Sequence, residues 1–233
     1  MAEELVDRLS FMTLDIQNAL LIGHGAAQLR PALPPTSTLI RSDLVPGPDV
    51  TIVADEDQLV LEPGQMDLVM ACGTLDSVDD LPGALLLIRR MLRPGGLFLG
   101  ALLGAGSLAR FRALVRESEA QRGSQSALRF HPQIEVRSAG DLLFRAGFST
   151  PVADQEDIKV RYSSFATLIA DIRGSGAGNA LKHPQPLPRG LYDSLCATLD
   201  QGNWEDNVAP IYMTGWQPMT GEARPEGPVK GSR

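Results

Sequence analysis

The chain has 233 residues, with 21 basic and 28 acidic side chains and a formal net charge of −7, which excludes a nucleic-acid binder driven by bulk positive charge. With 43% hydrophobic and 21% charged residues, the composition is that of a globular protein, not a disordered one. Its two cysteines, Cys72 and Cys196, stand far apart among apolar neighbours, which fits a reducing, cytoplasmic compartment and speaks against a disulfide framework or a thiolate zinc site.

The opening MAEELVDRLS is acidic and lacks the basic-then-apolar pattern of a secretory signal. The longest apolar stretch, Leu97 to Gly106, falls short of the ~20 residues that cross a bilayer, so no membrane insertion is expected. From Asn18 the order is an apolar strand, the turn Gly23-His24-Gly25, and a short helix that Pro31 and Pro34 must end. Thr38 to Asp43, Val50 to Ala54 and Met66 to Cys72 are predicted strands. Leu81, Ala84, Leu85, Ile88, Met91 and Leu92 repeat at helical spacing until Pro94-Gly95-Gly96 stops them, and Gly96 to Leu103 is an apolar strand suited to burial on both faces. This alternation is the α/β signature.

After Ser107, a helix through Leu108, Phe111, Leu114 and Val115 runs into a polar stretch around Gly123. Ser138 is the expected cap of a helix ending at Gly147, a strand is expected over Thr150 to Tyr162, and Ser163-Ser164 precede a helix that leads into Gly174 to Gly178. A helix over Leu191 to Leu199 and a strand over Val208 to Trp216 follow. Residues 217–233 are rich in Pro, Gly and charge and are expected to be disordered.

In open α/β sheets, ligands bind beyond the carboxyl ends of the strands. Gly23 and Gly25 follow the first strand, Asp43 ends the second and Asp55 the third. This arrangement suits a nucleoside, whose ribose hydroxyls an acid can accept. The alternative, that the glycines only allow a tight turn and the acids are solvated strand ends, stays open. A dinucleotide fingerprint would need Gly or Ala where Gln28 stands. His24 could reach a ligand from the turn, though a lone His favours a plain turn residue; His131 and His183 each precede a proline and look like loop residues. No HxH, HExxH or CxxC spacing occurs, so no protein-bound metal is expected. The arginines at 110, 112, 116, 122, 129 and 137 alternate with Glu117, Glu119 and Glu135, as a solvated helix face does, or as a docking surface for an acidic partner would.

The segment MDLVMACGTLDSVDDLPGALLLIRRMLRPGGLFLGALLGAGSLARFR resembles the region after strand four of class I S-adenosylmethionine (SAM) methyltransferases. RAGF, then DIKVRY, then DIRGSGAGN and the terminal IYMTGW are similar to the family of mitochondrial complex I assembly factor 5 and the biotin-pathway malonyl carrier-protein methyltransferases. The likeness covers roughly Leu5 to Trp216. It implies a single Rossmann-like domain over residues 1–216, with an insert near 163–206, and a seven-stranded, mostly parallel sheet with an antiparallel last strand and helices on both faces. It further implies SAM as cofactor: Gly23, His24 and Gly25 under the methionine part, Asp43 on the ribose, Asp55 and Glu56 at the adenine amino group, and Ala71 to Thr74 along the cleft. Asp171, Arg173, Gly174 and Gly176 would lie in the insert over the cleft. Tyr162 and Trp216 would stand near its wall or, as the residue types alone favour, in the core with a satisfied polar tip.

The chain also departs from the family pattern. Leu21 stands where an acid holds the cationic end of SAM, Ala27 replaces a glycine, and Asp76-Ser77 replaces a His-Trp pair. Relatives carry a further helical segment before the first strand that closes over the cofactor, so an open cleft is expected here. The resemblance therefore implies either a SAM-dependent methyltransferase acting on a protein or carrier-bound substrate, or a cofactor-degenerate or arginine-hydroxylase-like assembly factor of respiratory complex I.

Overall fold

Apolar runs of the first hundred residues build a parallel sheet in the computed structural model, which describes residues 1–59, 61–122, 129–175, 181 and 186–221. Strand β1 (Asn18–Ile22) lies between β2 (Thr38–Asp43) and β4 (Met66–Cys72), with β3 (Ile52–Val53) beyond β2 and β5 (Leu92–Leu103) beside β4, all parallel. Strand β9 (Pro210–Trp216) is antiparallel to both β5 and β6 (Ser149–Gln155), so the order is β3-β2-β1-β4-β5-β9-β6. Every residue of β4 is buried, as a strand covered on both faces requires.

Successive β4 residues feed opposite faces. Val69 joins Phe98, Leu85 and Ile88 of α3 (Leu81–Met91), and Leu143 of α5 (Val136–Ala146) on one side. Met70 joins Leu21, Leu99, Leu5 and Leu9 of α1 (Ala2–Ser10), and Leu29 of α2 (Ala26–Leu29) on the other. A third cluster holds Phe111 and Val115 of α4 (Ala109–Ala120), Leu168 of α6 (Phe165–Gly174), and Leu191 and Leu195 of α7 (Arg189–Leu199). It sits against a separate hairpin-like pair, β7 (Ile158–Tyr162) with β8 (Trp204–Val208). This layer stands where the chain leaves β5 and re-enters at β9, at the carboxyl side of the parallel strands.

Several expected elements change. The strand anticipated over 150–162 breaks after Gln155: Glu156 N–H donates to Pro210 O (3.1 Å), and the chain then crosses from the large sheet to the β7–β8 pair. The last strand likewise divides around Ala209, because β8 and β9 serve different sheets. Helix α5 starts at Val136 without a side-chain cap, so Ser138 lies inside it. Only Ile52–Val53 of the 50–54 run pairs as a strand. The first residues form α1, held by Leu5 and Leu9 in the core and by Arg8, whose guanidinium donates to both carboxylate oxygens of Asp154 (2.6 Å each) and covers the Tyr212 ring at 4.6 Å. Gln217 in the expected tail is bonded, donating from its N–H to Gly96 O (2.9 Å); residues 222–233, like Gly123, Gly176, Gly178 and His183, lie outside the described residues.

Candidate functional site

The two turn glycines are required by close approach. Gly23 has φ +91°, and a Cβ there would lie 2.6 Å from Thr74 Oγ1 and 2.8 Å from Cys72 O; one on Gly25 would lie 2.5 Å from Cys72 Sγ. Only glycine lets the backbone sit here. Gly23 N–H donates to Ser42 O (2.9 Å) and Gly25 N–H to Cys72 O (3.1 Å), so the turn is tied to the ends of both β2 and β4.

Around it lie the acids that the resemblance singles out. The Asp43 side chain is 13% exposed, with Arg41 Nη2 3.9 Å away. Asp55 Oδ1 accepts the Glu56 N–H (3.1 Å), two residues past β3. Glu56 is 2% exposed, and neither carboxylate oxygen has a hydrogen-bond partner. Burial pushes its carboxyl above the ordinary range, opposed by the Thr74 hydroxyl nearby and assisted by the charge of Asp55. Ser42 Oγ and Thr74 Oγ1 are also buried without a partner. Buried polar atoms are normally satisfied, so a cluster of unsatisfied ones at strand ends fits a polar ligand such as a nucleoside. Ala71 is wholly buried in β4, between Ile22 and Gly100, and its side chain packs in the core; Gly73 and Thr74 are the residues beside the turn.

The methionine side differs. Leu21 is wholly buried in the apolar cluster under α1, so no acid faces a cationic group from that position. The end of α6 reaches the turn: His24 Nε2 is 3.0 Å from Gly174 O, and a Cβ on Gly73 would lie 3.4 Å from Ser175 O.

A cavity of about 430 Å³ opens next to this turn, between the residues after β4 and β5 and the helices α4, α6 and α7. Asp76 and Ser77 form one wall, and Phe111 with Phe165 (ring centroids 6.1 Å apart) forms another. Burial raises the Asp76 carboxyl, while its own backbone N–H and the charge of His131 lower it. His131 faces the cavity with Nδ1 buried and unpartnered. The arginine run is not a uniformly solvated face. Arg112 lines the cavity, Arg110 lies over the Trp204 ring at 4.6 Å, and Arg129 forms an ion pair with Glu119, which is 2% exposed. Arg112 reaches the cavity because α4, through Phe111 and Val115, is itself packed against α6 and α7.

Of the insert residues, Arg173 lines the cavity, and Asp171 instead lies beside the Tyr162 phenol, which burial and that carboxylate push up to about 12. Tyr162 is buried in the third cluster and Trp216 packs under the α1 face, so both are core aromatics. Sequence reasoning found the strand ends but missed Tyr192, Phe111 and His131 as cavity residues, since they come together only through the α4–α6–α7 packing. Among the described residues, no group of three or more His, Cys, Asp or Glu side chains is placed to hold a metal ion, and no helix is long and apolar enough to cross a membrane.

A methyltransferase domain (Methyltransf_11) matches residues 32–100. The chain is 32% identical over 186 residues to the human mitochondrial arginine-hydroxylase NDUFAF5, covering 76% of this chain and 54% of that protein. It is 33% identical over 180 residues to the malonyl-[acyl-carrier protein] O-methyltransferase of Laribacter hongkongensis, covering 75% and 58%. The chain thus spans a little over half the length of these relatives. The YcgJ protein of Bacillus subtilis shares the fold (TM-score 0.61, 11% identity, 93% and 99% covered), as does phosphoethanolamine N-methyltransferase 2 of Haemonchus contortus in complex with SAM (TM-score 0.55, 17% identity, 94% and 52% covered). By domain match, sequence relatives and sheet order, the chain has the Rossmann-like fold of the class I SAM methyltransferases and is similar over about three quarters of its length to NDUFAF5 and to the malonyl-[acyl-carrier protein] O-methyltransferases.

Proposed function

We propose that residues 1–216 form a SAM-dependent methyltransferase whose acceptor is an acid borne by a protein or carrier. The observation that carries the reading is the set of buried, unsatisfied polar atoms on Ser42, Glu56 and Thr74 beside Asp43 and Asp55. Asp43 accepts the ribose hydroxyls; Asp55 and Glu56 face the adenine amino group; Gly23, His24 and Gly25 pass beneath the remainder. SAM, when bound, supplies an electrophilic methyl group on a sulfonium. The chain's own task is to bring the acceptor oxygen in line with that methyl, an orientation effect that by itself supplies much of the rate. Arg112, Arg173 and His131 favour an anionic acceptor over an arginine side chain in the neighbouring cavity.

Calorimetric titration with SAM and S-adenosylhomocysteine tests this. Micromolar binding is expected, weakened roughly tenfold to a hundredfold by Asp43→Ala through loss of charge-assisted hydrogen bonds. Absence of binding at millimolar ligand overturns the reading. One observation favours a second reading, a cofactor-degenerate assembly factor of respiratory complex I: Leu21 is buried and apolar where SAM needs an acid, with the end of α6 resting on the turn. Under it the same titration stays flat while the chain still captures a subunit of the complex.

A further inference from the structure

The charge inside the cavity is unbalanced. Arg129 is neutralised by the buried carboxylate of Glu119. Arg112 has no such partner: its guanidinium lies 4.7 Å from the Phe130 ring centroid and donates from Nη2 to His131 O (3.2 Å). Among the described residues, no carboxylate forms an ion pair with Arg112 or with Arg173, and residues 123–128 and 176–185 contain no Asp or Glu. Asp76 is the one acid among the described lining residues; burial raises its carboxyl, and it forms no ion pair with either arginine. Two arginines lining a largely apolar cavity with no carboxylate paired to either fit a ligand that brings its own.

The rest of the cavity specifies what that carboxylate is attached to. Its volume of about 430 Å³ lies in the range of small-molecule sites, and a three-carbon acid leaves most of it unfilled. Phe111 stands edge-on to Phe130 (6.0 Å) and tilted to Phe165 (6.1 Å), with Val115, Ile169 and Leu195 completing the wall. Such a wall gains by covering apolar surface and disfavours polar groups, which find no partner on it.

We infer that the cavity binds an organic acid with an aromatic or medium-chain aliphatic body, its carboxylate at Arg112 and Arg173 and its body against Phe111, Phe165 and Leu195. The inference rests on the methyltransferase reading only in making this acid the acyl part of the acceptor. A cationic body of the same shape meets the two guanidinium groups and is rejected. A short diacid satisfies the head but not the walls.

Equilibrium binding of decanoate to the full chain tests the assignment, with decanol, malonate and decyltrimethylammonium as comparisons below their micelle concentrations and S-adenosylhomocysteine titrated in parallel. Decanoate is expected to bind at least about tenfold more tightly than each of the other three. Arg112→Gln and Arg173→Gln are each expected to weaken decanoate about tenfold, the loss of one charge-assisted contact, while leaving decanol unchanged. Decanoate no tighter than malonate overturns the reading of the walls, and decanoate no tighter than decanol, or an equal affinity for the cation, overturns the reading of the head. Should Arg112→Gln fail to fold, Arg173→Gln, on the exposed end of α6, decides alone, and an unchanged decanoate affinity there overturns the inference. Decanoate binding without S-adenosylhomocysteine binding leaves this inference standing and removes the methyltransferase reading; the reverse removes this inference alone.

Discussion

Asp43 ends β2 and Glu56 follows β3, yet the two carboxyls have opposite environments. Asp43 keeps a cation nearby and partial access to water, whereas Glu56 is buried with both oxygens unpartnered. Burial therefore raises the Glu56 carboxyl above its value in the unfolded chain. A raised carboxyl favours folding below the unfolded value and loses that advantage as pH climbs through the folded one. Replacing it by a neutral group of the same shape removes the loss. In the ligand-free protein, Glu56→Gln is expected to raise the melting temperature by a few degrees at pH 8 and by progressively less toward pH 5, followed by circular dichroism. An equal gain at both pH values would show that the carboxyl is not the source. Of these residues, Asp43 and Asp55 were legible in the sequence because a carboxylate ending a β-branched run is a pattern. The burial of Glu56 was not, since no local pattern separates it from a solvated acid beside Asp55, and only the fold brings the Thr74 hydroxyl, eighteen positions away, near it.

At the scale of elements, the apolar strands and the helix ended by Pro94-Gly95-Gly96 could be read because their periodicity is local. The β7–β8 pair could not. Lys159 and Arg161 in β7 face partners whose identity only the return of the chain at Trp204 decides. The same strand pair solves a problem at α4, which begins at Leu108 in the left-handed region with no side-chain cap of its own. Asp206, 5% exposed on β8, takes over this role. Its carboxylate accepts the Arg110 N–H (3.2 Å) and the Phe111 N–H (2.8 Å), and also the Asn207 N–H (2.9 Å). A carboxylate at a helix N-terminus also meets the positive end of the helix dipole. Asp206→Ala leaves these amides unpaired beside the cavity and is expected to destabilise the protein by about 1.5–3 kcal/mol, the range for hydrogen bonds to a charged group. A urea midpoint shift at unchanged slope measures it. A midpoint within error of the parent would show that water replaces the cap at no cost. Helix α6, by contrast, carries its cap in its own sequence, with Ser164 and Thr167 bonded reciprocally, and that is why its cap was readable and the cap of α4, borrowed from β8, was not.

For the molecule as a whole, the two halves of the candidate site depend on the same central strands, because β1 and β4 carry the glycine turn and β4 and β5 carry the cavity wall. One side chain pins all three. Asp67, in β4 and 4% exposed, accepts the backbone N–H groups of Gln17 (2.8 Å) and Asn18 (2.7 Å) at the start of β1 and pairs with Arg93 in β5. Burial alone would raise this carboxyl; the Asn18 amide, Arg93 and the Gln17 amide outweigh it and hold the group below the ordinary carboxylate range. A lowered carboxyl contributes stability that is present above its unfolded value and is lost as pH falls through its folded one. Asp67→Asn keeps the shape but removes the charge that all three donors address. It is expected to lose about 2 kcal/mol at pH 7, within the range for charge-assisted hydrogen bonds. The gap between variant and parent should narrow as pH drops below about 4, near the ordinary aspartate value, because the parent then protonates the same group. Urea unfolding at pH 7, 5 and 3.5 checks this, and a gap that stays constant across the three would assign the loss to packing and not to charge. Because the strands so pinned hold both halves of the site, the affinity for S-adenosylhomocysteine and that for decanoate should fall together as the variant unfolds, at one urea midpoint and not two.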